Sequence, residues 1–282
     1  DPGDEVIIPE PFYANYNGFA LASDVNVIPI TSKIEDNFAL PSIHEFEKKI
    51  NGKTRAILLC NPCNPTGYVY SQEEITNIAN LAKKNDLFIV VDEVYREFIY
   101  TDTKHFSILE DEKFSENAIL IDSISKRYSL CGARVGFIVS KNSEFIDTCL
   151  KFALARLSPP TLALIAANHA LSSSDSYIKN VIREYYQRRE VIIDELSKID
   201  NIKFSNPMGA FYSIIKLPIE NAEDFAKFLL TDFSYKNQSV MLSPASGFYS
   251  SENYGKDEIR IAFVLNSEKL KNAIKIIKIG LK

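Results

Sequence analysis

No run of apolar residues in this 282-residue chain approaches the length of a membrane span, so a membrane is not an expected partner. Basic residues form no stripe either. The 32 lysines and arginines are scattered among 37 aspartates and glutamates, for a net charge of −5, and a nucleic-acid surface is not expected. Cysteine is sparse: Cys60, Cys63, Cys131 and Cys149 suggest reduced thiols in a cytoplasmic setting. Cys60-x-x-Cys63 lacks a second ligand pair at metal spacing, and His44, His105 and His169 stand far apart. Metal or redox chemistry is therefore not expected, and Cys60 reads as a buried strand end. Internal repeats and low-complexity segments are missing as well.

What is present is alternation. Short apolar runs at Glu5–Ile8, Asn26–Ile30, Ala56–Cys60, Leu87–Val91, Ala118–Ile121 and Val135–Val139 read as strands. Helical patterns lie between several of them. Ile43, Phe46 and Ile50 recur at helical spacing within Pro41–Ile50, and Ser71-Gln72-Glu73-Glu74 is a capping box before an apolar face of Ile75, Ile78, Ala79 and Ala82. Strands apolar throughout and spaced by helices predict an α/β fold, a mostly parallel sheet sandwiched by helices. From about Thr161 the pattern changes to a helix over 161–171, a long charged helix over 176–196, and helices at 222–230 and 267–281. Strand-like segments at Lys203–Ser205, Ala210–Ile215, Ser239–Leu242 and Glu258–Val264 interleave with these. We expect a large domain over 1–171 and a small C-terminal α+β domain over 172–282. The opening Asp1-Pro2-Gly3-Asp4 feeds straight into a strand without a methionine, which reads as the middle of a domain, so the large domain is expected to be incomplete at its N-terminus.

Ligands of open parallel sheets bind at the carboxyl ends of strands. Asn64, in Asn61-Pro62-Cys63-Asn64-Pro65-Thr66-Gly67, follows one predicted strand. Asp92, in Asp92-Glu93-Val94-Tyr95, follows the next, and Lys126, in Asp122-Ser123-Ile124-Ser125-Lys126, follows a third. Arg134 comes eight residues later. Each is unremarkable alone as a loop residue. Together they offer a carboxylate, an amine and a guanidinium, which suit the ring nitrogen, aldehyde and phosphate of pyridoxal 5'-phosphate (PLP).

In combination these motifs resemble the fold type I PLP-dependent aminotransferases of class I/II, aspartate-aminotransferase-like members, and the resemblance runs from Asp1 to the C-terminus. It implies that Lys126 forms the Schiff base with PLP and later moves the substrate's proton, which requires an amine that can be neutral near pH 7. It implies that Asp92 pairs with the ring nitrogen, that Tyr95 and Asn64 bond the ring's 3′ oxygen, and that Ser123 and Arg134 hold the phosphate. Tyr13 matches the aromatic lying on the cofactor ring, although its position also suits a buried strand end. Phe12 and Tyr16 read as packing. Arg260, in Glu258-Ile259-Arg260-Ile261-Ala262-Phe263, matches the arginine that grips the substrate α-carboxylate, with an edge-strand solvent residue as the alternative. The segment Pro207-Met208-Gly209-Ala210-Phe211-Tyr212 matches a family turn in which glycine permits close backbone approach. Arg156 could reach a neighbouring subunit's site or form a plain salt bridge.

The resemblance implies a cytoplasmic homodimer that exchanges an amino group between an L-amino acid, aspartate foremost, and a 2-oxo acid. Two alternatives stay open. One is a PLP-dependent C–S lyase or decarboxylase using the same lysine and aspartate. The other is the effector-binding half of an aminotransferase-like transcription regulator.

Overall fold

The computed structural model describes residues 1–282, the side chain of Asp175 excepted. Six strands make one sheet: β1 (Glu5–Glu10), β2 (Asn26–Thr31), β3 (Thr54–Cys60), β4 (Phe88–Asp92), β5 (Ala118–Ser123) and β6 (Gly136–Val139), in the order β2-β1-β3-β4-β5-β6. The first five pair in parallel and β6 closes the edge antiparallel to β5. Ile7, Ile57, Ile89 and Val91 share one face of the sheet and are fully buried, while on the opposite face Ile8, Ala56 and Ile119 are buried and Leu58 and Val90 half-buried. Four helices lie between these strands along the chain: α1 (Asn15–Ala22), α2 (Ile43–Glu47), α3 (Gln72–Lys84) and α4 (Ile124–Arg127). The capping box forms as expected: Glu74 N donates to Ser71 Oγ and Ser71 N to Glu74 Oε2. Ile75, Ile78, Ala79 and Ala82 then carry α3 onto the sheet.

A second sheet holds β7 (Lys203–Phe204), β8 (Tyr212–Lys216), β9 (Ser243–Pro244) and β10 (Glu258–Ala262) in the order β7-β8-β10-β9, with every pairing antiparallel. The remaining helices are α5 (Ser143–Arg156), α6 (Thr161–Leu171), α7 (Asp175–Leu196), α8 (Ala222–Thr231) and α9 (Ser267–Gly280). Ile192, Leu196, Leu229, Ile274 and Ile277 from α7, α8 and α9 pack with Ile215 and Ile259 into one core. Tyr95, Phe98 and Tyr100 join that core from the segment after β4.

Local expectations differ from the structure in several places. Helices α1 and α5 are not expected from the sequence, and neither holds a buried residue that would mark an apolar stripe. Helix α2 spans only Ile43–Glu47 of the expected 41–50. Strand β8 begins at Tyr212 rather than Ala210, because Ala210 takes a left-handed φ of 55° that breaks an extended run. No strand forms over Ser239–Leu242. Lys236 and Asn237, at φ 53° and 59°, close a tight turn that pairs Tyr235 with Gln238, and Val240 and Leu242 pack on the core from an irregular segment. Burial of alternate residues in a loop mimics a strand pattern.

The two sheets meet at the Asn-Pro-Thr-Gly turn. Met208 N and Gly209 N both donate to Gly67 O at 2.8 Å, and Ser205 Oγ donates to Thr66 O at 2.9 Å. A Cβ on Gly209 would stand 2.7 Å from Phe98 O and 2.8 Å from Pro62 Cβ. The expected reason for glycine in this turn is met: only hydrogen fits.

Candidate active site

Register places the polar residues. Cys60 pairs with Asp92 across β3 and β4, and Asp92 with Ile121 across β4 and β5, so the loops that follow these strands leave from one edge of the sheet. Asp92 turns there. Its Oδ1 accepts the Val94 N–H at 3.1 Å and its Oδ2 accepts the Tyr16 hydroxyl at 2.8 Å. Burial pushes the Asp92 carboxyl up from its usual range. The Tyr16 and Val94 hydrogen bonds oppose that, as does the Lys126 charge, while Asp122 adds to it.

Lys126 stands on the one-turn helix α4, whose N-terminus Ser123 caps by accepting Ser125 N at 3.1 Å. Its ammonium lies 5.6 Å over the Tyr95 ring and makes no hydrogen bond or ion pair among the described residues. Burial holds the Lys126 amine below the ordinary lysine range. Arg134 and Arg260 push in the same direction, while Cys131 and Asp92 oppose it. An amine so placed releases its proton more readily than a surface lysine. Its neighbour Arg127 forms a clamp, with Nη2 on Asp122 Oδ2 at 2.5 Å and Nη1 3.3 Å from Glu97 Oε1, tying α4 to the segment that follows β4.

Tyr95 is buried, and its hydroxyl lies 2.9 Å from that of Tyr212 on β8. Asn64 is buried and accepts Arg260 Nη1 at 3.0 Å. The Arg260 guanidinium sits between two rings, 4.5 Å from the Tyr212 centroid and 4.7 Å from that of Phe248. Its Nε is buried without a hydrogen-bond partner among the described residues. An unmatched buried guanidinium N–H is costly, and a bound carboxylate would satisfy it.

Ser123 Oγ donates to Val135 O at 2.8 Å. Arg134 is exposed, in a left-handed conformation, and Nη1 donates to Cys131 O at 2.9 Å. The Tyr13 hydroxyl accepts Asn15 Nδ2 at 2.8 Å, and its ring meets that of Tyr16 edge-on at 5.6 Å. The structure thus links Asp92, Lys126, Tyr95, Asn64 and Arg260 through contacts or mutual charge, and Tyr13 adjoins them through Tyr16. Arg156 ends α5 on the surface and forms no hydrogen bond or ion pair among the described residues.

Sequence reasoning misses three participants. Tyr16 packs by its ring as expected but also bonds Asp92, and no spacing rule connects residues 76 apart. Tyr212 lies within the Pro207–Tyr212 segment, where the sequence reading gives a role to the glycine alone. Glu93, fully buried beside Asp92, meets Ser107 Oγ at 2.9 Å, Ile108 N at 3.2 Å and His105 Nε2 at 2.8 Å, and so anchors the site's floor.

Comparison with known proteins places the chain in a family. The family described as Aminotransferase class I and II matches residues 1–277. A putative aminotransferase of Bacillus subtilis is 34% identical, with the match covering 97% of the present sequence and 69% of its own length. An aspartate aminotransferase of Pyrococcus horikoshii is 32% identical over 96% of the present sequence and 68% of its own length. Among solved structures, an aspartate aminotransferase of Thermotoga maritima superposes with a TM-score of 0.88 at 31% identity, covering 100% of the present protein and 70% of that one. An aromatic aminotransferase of Pyrococcus horikoshii gives 0.89 at 28% identity, covering 100% and 74%. With the fold, the family match and the relatives in agreement, the chain belongs to the class I and II aminotransferases.

Proposed function

We propose that this aminotransferase uses pyridoxal 5'-phosphate held covalently by Lys126, with L-aspartate as the amino donor and a 2-oxo acid as the acceptor. The observation that carries this reading is the half-buried, unpaired Lys126 amine 5.6 Å over the Tyr95 ring, held below the ordinary lysine range by burial and by the Arg134 and Arg260 charges against that of Asp92. When bound, PLP supplies an aldehyde that joins amines and a ring that takes up electron density. The residues fit such a group: a carboxylate for a ring N–H, an amine for an aldehyde, and cationic and hydroxyl groups beside α4 for a phosphate.

In this reading Asp92 holds the proton on the ring nitrogen. The buried Tyr95 hydroxyl, which burial keeps protonated, donates to the ring's 3′ oxygen together with Asn64. Ser123 and Arg134 receive the phosphate, and Tyr13 lies against the ring. Arg260 offers its free Nε and second terminal nitrogen to the substrate α-carboxylate, a planar two-point grip, while Asn64 and the two flanking rings fix its plane. Lys126 Nζ, once freed from PLP by the incoming amine and neutral, would take the proton from the substrate Cα and deliver it to the carbon that carried the cofactor's aldehyde, and would run the same transfer backwards for the 2-oxo acid.

The domain division at 171/172 remains part of the proposal, supported by one sheet lying within residues 5–139 and the other within 203–262. A cytoplasmic homodimer is proposed as well. Its support is a run of exposed apolar side chains on α5 and α6, where Phe152 is 74% and Leu162 82% exposed. An aromatic amino donor is the second reading, favoured by the structural likeness to the aromatic aminotransferase and by the rings of Tyr212 and Phe248 in the site.

Half-reactions with single amino acids test the reading. L-aspartate is expected to convert stoichiometrically to its 2-oxo acid with the nitrogen retained on the cofactor. Faster conversion of phenylalanine or tyrosine would replace aspartate by the second reading. Steady release of pyruvate and ammonia from a cysteine conjugate would establish a lyase instead.

A further inference from the structure

We propose that Glu10 is a positioning residue for the amino donor: by accepting the Ser250 and Ser251 N–H groups it holds the Phe248 ring against Arg260, and so sets the affinity for the donor's α-carboxylate. The inference rests on the reading of Arg260 as the carboxylate partner. Glu10 is the last residue of β1 and is completely buried, at 0% exposure. Its Oε1 accepts the Thr31 hydroxyl at 2.7 Å, and its Oε2 accepts Ser250 N at 2.7 Å and Ser251 N at 3.1 Å. No lysine, arginine or histidine pairs with it among the described residues. An acid buried on neutral donors alone costs stability that an apolar side chain of the same size would not. What the acid supplies is an acceptor, and two of its three donors stand 240 and 241 positions further along the chain.

Those two donors follow directly on the short turn Ser246–Phe248. The Phe248 ring lies 4.7 Å from the Arg260 guanidinium, which the Tyr212 ring meets at 4.5 Å. The segment is pinned to both sheets. On the antiparallel sheet, the Tyr249 hydroxyl donates to Glu258 Oε2 at 2.7 Å, two residues before Arg260 on β10. From the parallel sheet, Phe12 N donates to Phe248 O at 2.9 Å, a backbone bond that survives any side-chain change at 12 that keeps the N–H. Ser250 Oγ also donates to Asn17 Oδ1 on α1, at 2.8 Å, but that contact is exposed. Glu10 is thus the buried side-chain anchor from the parallel sheet. Its three hydrogen bonds go to Thr31, Ser250 and Ser251, and none goes to Asp92, Lys126, Ser123 or Arg134. Its influence therefore reaches the donor through Phe248 and Arg260, with the cofactor residues left in place.

Steady-state kinetics of the PLP-loaded enzyme, with each amino donor it accepts, test this. Glu10→Met keeps the side-chain length and removes both acceptor oxygens. It should raise KM for every donor by about fivefold, the scale of coupling through one shared contact, with kcat within about twofold and PLP content unchanged. Glu10→Gln keeps an oxygen for both serine N–H groups while its amide donates to Thr31 Oγ1, so it should recover most of the affinity. KM does not depend on the folded fraction of a sample. Should Glu10→Met not fold at all, Glu10→Asp, one methylene shorter, should shift KM in the same direction. In a Phe248→Ala background Glu10→Met should add nothing, because the ring that Glu10 positions is gone. Arg260→Lys in the same assay checks the underlying reading. If it leaves every donor's KM unchanged, the reading of Arg260 fails and this proposal with it. If Arg260→Lys raises KM while Glu10→Met keeps the wild-type value, or if the effects of Glu10→Met and Phe248→Ala multiply, Glu10 only braces the fold and this proposal is overturned.

Discussion

At the scale of single residues, the site works by leaving particular donors unmatched. Arg260 Nη1 is committed to Asn64, yet its Nε is buried without a partner, and the flanking rings prevent the guanidinium from swinging out to find one. That arrangement costs stability unless a carboxylate arrives. Arg260→Lys keeps the charge but removes the planar two-point geometry and the stacking on two rings. Steady-state kinetics should show kcat/KM falling for all amino donors together, by roughly 10- to 100-fold, about 1.4 to 2.7 kcal/mol of lost binding. A fall confined to dicarboxylic donors would mean that Arg260 reads the substrate side chain, and the α-carboxylate partner would have to be sought elsewhere. Lys126 obeys the same logic: an amine with no partner, held below its ordinary range by burial, is available for a bond to carbon.

At the scale of elements, the seam between the two sheets brings Arg260 to Asn64 in the Asn-Pro-Thr-Gly turn. Gly209 lies within contact distance of Phe98 O, Val69 and Pro62, and just three residues on stands Tyr212, whose ring carries Arg260 and whose hydroxyl meets Tyr95. Gly209→Ala forces these backbones apart and should cost about 1–3 kcal/mol in urea unfolding. Gly52→Ala, where nothing lies within 4 Å, is the control and should stay within about 0.5 kcal/mol. Equal costs for the two would remove close approach as the reason for glycine at 209. The central strands of the parallel sheet are legible in the sequence because one face is buried and the other buried or half-buried, so each appears as a nearly unbroken apolar run. The capped helix α3 is legible from Ser71 and Glu74. Helix α1 is not, because a helix without an apolar stripe has no period. The false strand at 239–242 shows the converse, since Val240 and Leu242 alternate inward from a loop. In the site, strand-end position and residue type expose Asn64, Asp92 and Lys126, and resemblance supplies the roles of Tyr13, Ser123, Arg134 and Arg260. The contacts Tyr16–Asp92, Asn64–Arg260 and Tyr95–Tyr212 join residues 76, 196 and 117 apart, and no local pattern encodes such pairings.

At the scale of the whole molecule, one mostly parallel sheet and one antiparallel sheet bring Asp92, Tyr95, Arg134 and Arg260 within contact or charge coupling of a single lysine, Lys126. Everything proposed for the chemistry depends on that lysine being the covalent anchor. Reductive labelling of every accessible lysine tests this without assuming a substrate: incubate the protein with PLP near neutral pH, reduce with borohydride, and map the modified peptides by mass spectrometry. Because burial lowers the Lys126 amine relative to exposed lysines, it should be the first to reach its neutral, reactive form as pH rises. The account expects one equivalent of label on Lys126 and only trace label elsewhere. Stoichiometric label on Lys141 or Lys151, with Lys126 unmodified, would contradict it.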